Sequence, residues 1–88
     1  MEIRQIIEKN RFRKPILEVL RLSVDHQPVT LKFLQSNIPI TERSFFAILY
    51  LLESLELIKI QNVGLTKFYR PTELTELFLR ESEVKTNE

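Results

Sequence analysis

The sequence predicts a mainly α-helical α+β domain with one small β-hairpin. Three observations lead there. Residues 41–55 repeat apolar side chains at helical spacing over about four turns. Two shorter stretches before them, 15–24 and 31–36, are also helical in pattern. Residues 57–70 then switch to alternation at period two around Gly64, the only glycine.

The chain has 88 residues, which suits one domain. Hydrophobic content of 43% and charged content of 28% are ordinary for a globular protein. Cysteine is absent, which excludes a disulfide framework and a thiolate metal site. No apolar run reaches the ~20 residues that span a bilayer. The start, Met1-Glu2-Ile3-Arg4-Gln5, lacks the layout of a secretory signal. A cytoplasmic protein with no membrane partner is expected. The net charge of +1 is unevenly spread. Up to Arg70 there are eleven Lys and Arg against seven Asp and Glu. From Pro71 onward there are two against five, so the first part favours an anionic partner.

Taken in order, residues 2–10 predict a short N-terminal helix with Ile3, Ile6 and Ile7 on one edge and Asn10 as its stop. So short a helix needs something to dock on, either the core or a second subunit. Arg11-Phe12-Arg13-Lys14 is a basic cluster. It reads either as a solvated loop or as phosphate contacts at a helix start. Pro15 opens the core helix 15–24, since proline is welcome where an N–H has no partner. Residues 25–28 form a loop, and its His26, the only histidine, reads as a surface residue. Val29-Thr30 suits a very short strand before helix 31–36. Pro39 forces a turn at 37–40.

Thr41 then caps helix 41–55, and Glu42 complements the positive helix end. Phe45, Ile48, Leu49, Leu52 and Leu55 form the apolar face, with Arg43, Ala47, Tyr50 and Ser54 opposite. Ile58 and Ile60 alternate with Lys59 and Gln61 in a strand. Gly64 suits a positive-φ turn, and 66–70 returns as the partner strand. Thr72 caps a last helix, 72–84, with a stripe of Leu74, Leu77 and Phe78. Residues 85–88 are expected to fray.

The residues from Arg13 to about Phe78 resemble the winged helix-turn-helix transcriptional regulators, the broad MarR-, ArsR- and PadR-like group of small bacterial and archaeal proteins. The likeness rests on the core helix from Pro15, on Val29-Thr30-Leu31 with Leu34, and on Ile40-Thr41-Glu42-Arg43-Ser44. Leu49, Leu52, the exit at 55–59 and the run from Val63 to Leu74 complete it. The resemblance implies a sequence-specific regulator of double-stranded DNA, acting as a homodimer. Helix 41–55 would enter the major groove. By position, contacts would come from Thr41, Arg43, Ser44, Phe46, Ala47 and Tyr50. Thr30 and Lys32 would touch backbone, and Lys59 and Lys67 would lie along the flanking groove. Arg43 suits a guanine, whose O6 and N7 match its two-pronged donor. Ile3, Ile6, Ile7, Leu74, Leu77 and Phe78 would form the dimer surface. The family often has glycine where Glu56 stands.

The outer face of helix 41–55 is more apolar than a typical DNA-reading helix. The alternative is therefore a protein-interaction module using Phe46, Tyr50 and Leu51. An RNA-stacking role for Phe68 and Tyr69 is a third reading. An enzyme is not expected: there is no cysteine, one isolated histidine and no Gly-rich phosphate loop. No cofactor or metal is expected either.

Overall fold

A single apolar core joins eight elements in the computed structural model, which describes the backbone of residues 2–86 and the side chains of 2–81. In chain order they are α1 (Ile3–Glu8), α2 (Arg13–Asp25), β1 (Val29–Thr30), α3 (Leu31–Asn37), α4 (Glu42–Ser54), β2 (Ile58–Val63), β3 (Thr66–Pro71) and α5 (Glu73–Thr86). The result is an α+β fold with one three-stranded antiparallel sheet among the described residues. The expected stripe of α4 is the centre of the core: Phe45, Ile48, Leu49 and Leu52 are buried, and Leu55 is half-buried. Ile16, Val19 and Leu20 of α2, Leu34 of α3, and Ile58 and Tyr69 of the sheet close around it.

Local chemistry sets the helix ends. The Thr41 hydroxyl accepts the Ser44 N–H at 3.2 Å, as its N-cap position requires. The Thr30 hydroxyl does the same for α3, accepting from Phe33 N–H at 3.1 Å. Helix α2 begins at Arg13, two residues before the expected Pro15. Proline is tolerated there because the first-turn N–H groups have no intrahelical acceptor. The Asn10 side chain accepts the Phe12 N–H at 2.8 Å, which turns the chain between α1 and α2. Ser23 is fully buried and donates its hydroxyl to the Leu20 carbonyl at 2.8 Å.

The sheet has the order β1-β3-β2, so the return strand is central. Val29 pairs with Tyr69 and Thr30 with Phe68 on one side of β3; Ile58 pairs with Pro71 and Val63 with Thr66 on the other. The hairpin loop is therefore Gly64-Leu65. Gly64 has φ +61°, the conformation that a two-residue type II′ loop asks of its first position.

A second positive φ, +60°, falls on Glu56. It ends α4 in a Schellman motif: Glu56 N–H reaches the Glu53 carbonyl at 3.0 Å and Leu57 N–H the Leu52 carbonyl at 2.9 Å. The start of α5 is tied to this same point. The Thr72 hydroxyl, expected to cap α5, instead donates to the Glu56 carbonyl at 2.7 Å. Thr75, fully buried, donates to the Leu57 carbonyl and accepts the Thr72 N–H at 3.3 Å. Its side chain thus reaches back to the helix start as the last residue of a capping box does. The fraying expected at 85–88 falls partly on Asn87 and Glu88, outside the described residues.

A left-handed residue with a Cβ costs about 1–2 kcal/mol, partly offset by glycine's extra unfolded-state entropy. Glu56→Gly should therefore raise the unfolding free energy by about 1 kcal/mol, and Gly64→Ala should lower it by a similar amount. Urea denaturation of the two variants measures both. No atom stands within 4 Å of a Cβ built at Gly64, so the second effect is backbone strain alone.

Candidate functional site

Burying one stripe of α4 fixes what the opposite side offers to solvent. Arg43, Phe46, Ala47 and Tyr50 are all exposed, Phe46 at 50% and Tyr50 at 75%. Phe46 and Tyr50 are one turn apart and Ala47 follows Phe46, so the outer face combines a cation with two aromatic rings. Ser44 is half-buried, and its hydroxyl receives the Thr41 hydroxyl at 2.9 Å. Thr30, Thr41 and Ser44 are thus engaged in capping contacts at the starts of α3 and α4, next to the outer face rather than on it. Lys32 is exposed in the first turn of α3.

The hairpin divides the remaining candidates. Residues paired across antiparallel strands share a face. Ile58, Ile60, Tyr69 and the pair Asn62–Lys67 lie on the core side. Lys59–Arg70 and Gln61–Phe68 lie on the other. Lys59 and Lys67, expected together along one groove, are on opposite faces because an odd register step separates them. Arg70 joins Lys59 and hydrogen-bonds Gln61 through its Nε. Sequence reading did not single out Arg70. The strand alternation that put Lys59 outward, combined with the register, would have found it. The loop tip is apolar, with Val63 exposed and Leu65 fully so.

Tyr69 is buried, so it offers no stacking surface; Phe68 is half-buried. Burial strips water from the Tyr69 phenolate and raises its pKa above the ordinary 10.0, and the negative charge of Glu53 adds to the rise. Among the described residues, no group of three or more His, Cys, Asp or Glu is placed to hold a metal ion. No described helix is long and apolar enough to cross a membrane.

The expected dimer surface is corrected in part. Ile7 and Phe78 are buried in the monomer's own core, at 1% and 8% exposure, because α1 and α5 dock on it. Ile3 and Ile6 are half-buried. Leu74 and Leu77 remain exposed at 42% and 52%. With Ile3 they line a groove of about 400 Å³, bordered by the Arg4–Glu81 ion pair at 3.0 Å.

No protein-family model and no curated protein sequence matches this chain. A solved structure that resembles it is AF1382 from Archaeoglobus fulgidus. That likeness covers 99% of this chain and 100% of the other, with 14% sequence identity and a TM-score of 0.65. At this identity the likeness is one of fold.

The Tyr69 shift has a defined sign. The folded state holds the phenol proton more tightly than the unfolded chain, so stability falls as pH rises through and beyond about 10. Tyr69→Phe should flatten this alkaline decline relative to the parent protein. Thermal melts from neutral pH to about pH 11 compare the two slopes.

Proposed function

We propose that this protein is a non-enzymatic regulator that binds double-stranded DNA sequence-specifically through a winged helix-turn-helix, as a cytoplasmic homodimer. The observation that carries this is the outer face of α4: Arg43, Ala47, Phe46 and Tyr50 stand clear of the core on a helix preceded by α3 and a short turn. A β-hairpin follows it directly, and the order β1-α3-α4-β2-β3 is the one the winged-helix reading requires.

In this reading α4 lies in the major groove. Arg43 donates to a guanine edge, Ala47 or Phe46 meets a thymine methyl, and Tyr50 donates to a phosphate. Lys67 approaches backbone from the core side of the hairpin, with Lys59 and Arg70 on its other face. The surface at Ile3, Leu74 and Leu77 pairs two copies, so that two recognition helices fall one DNA turn apart.

The exposure of Phe46 and Tyr50 favours a second reading, in which the same face binds a protein. Substitutions separate the two. For a DNA binder, Arg43→Ala should weaken a cognate duplex about tenfold, and Lys67→Ala should lower the salt slope by about one. For a protein-binding module that pair should do little, and Phe46→Ala with Tyr50→Ala should abolish partner capture. The direct measurement titrates labelled mixed-sequence duplex at two salt concentrations while recording the solution mass. Salt-sensitive binding by a dimer supports the regulator. Absence of binding at low salt and tens of micromolar, where non-specific association is expected, overturns it.

A further inference from the structure

A groove of about 530 Å³ lies between the α1–α2 connection and α4. Its apolar surface comes from buried Ile16, half-buried Phe12 and Leu51, and exposed Ala47. Its rim carries two exposed cations, Lys9 and Arg11. The Arg11 guanidinium sits over the Phe12 ring, 4.9 Å from its centroid, which holds that charge at the mouth. Among the described residues neither cation has an ion-pair partner, and no carboxylate lines the groove.

Apolar walls call for large hydrophobic side chains, and a cationic rim calls for carboxylates. The apolar surface also continues past the groove onto exposed Phe46 and Tyr50, farther than a small ligand would cover. A helix with apolar anchors at i, i+3, i+4 and i+7 and acidic residues around them supplies both needs along one continuous element. DNA supplies the negative charge but little apolar surface beyond thymine methyls.

We infer that this groove takes an acidic amphipathic helix of a partner protein, and that its occupancy excludes DNA from α4. The exclusion rests on the DNA-binding reading above. Ala47 belongs to both surfaces, and Leu51 is one turn further along the same helix, so the two ligands compete for the same space on α4.

The probe is a fluorescein-labelled, helix-forming peptide with leucines at i, i+3, i+4 and i+7 and glutamates elsewhere. Its counterpart carries lysines in place of the glutamates. Anisotropy with the full chain should show binding of the glutamate peptide and not of the lysine peptide. Lys9→Glu with Arg11→Glu, both at exposed positions, should weaken it by about tenfold, while a thermal melt verifies that the variant folds. Unlabelled glutamate peptide should displace labelled duplex. Equal binding of the two peptides, or an affinity untouched by the double reversal, overturns the groove assignment. Simultaneous binding of duplex and peptide overturns the exclusion. A protein that binds the glutamate peptide in the expected pattern but never binds duplex supports the groove while removing the DNA reading. Concentration-dependent self-association abolished by the double reversal would make the acidic α5 of a second copy the occupant and overturn the external partner.

Discussion

The burial of Phe45, Ile48, Leu49 and Leu52 on one side of α4 is the constraint from which most of this structure follows. Each such side chain contributes about 1.5–3 kcal/mol on removal from water, so the helix cannot rotate without losing several contributions together. Once that face is committed, the azimuth of every other residue on α4 is set. Arg43, Phe46, Ala47 and Tyr50 must face solvent, and Leu51 must fall on the flank beside Phe12. The exposed face of α4 is thus the complement of the core, and no separate device orients it.

A small polar knot holds the α4 end, the entry to β2 and the α5 start in one place. Glu56 accepts a left-handed backbone so that the chain can reverse. The Thr72 and Thr75 hydroxyls then satisfy the carbonyls of Glu56 and Leu57. Leaving a buried carbonyl unpaired there would cost about 1–3 kcal/mol. The left-handed backbone at a non-glycine residue is tolerated because both flanking hydrogen bonds and the burial of Leu57 require it.

The surface left outside the core is unusual in its mixture. Cations sit at Lys9, Arg11, Arg43, Lys59, Lys67 and Arg70, yet they are interleaved with exposed aromatic and aliphatic side chains. Phosphates alone do not reward that apolar area, whereas a polypeptide with carboxylates and large anchors does. In the proposed reading one face serves two kinds of partner through shared residues, which makes their binding mutually exclusive. The acidic residues Glu73, Glu76 and Glu81 lie on α5, where Leu74 and Leu77 stay exposed.

Much of the architecture was legible in the residues. The α4 stripe, the Thr41 cap, the Gly64 turn and the α/β order are local matters, written in side-chain period, hydroxyl position and backbone freedom. The sequence by itself determined which face of α4 is apolar and where the chain must turn, because those depend on neighbours within a few residues. Only the tertiary structure decided which strands pair in which register. That put Lys59 and Lys67 on opposite faces and brought Arg70 beside Lys59. It also decided that Ile7 and Phe78 seal the monomer's core, leaving Leu74 and Leu77 outside. A stripe of apolar residues states that something will cover it, but not whether the cover is the same chain or another. That choice depends on how α1 and α5 dock on the core, a long-range packing outcome that no local pattern encodes.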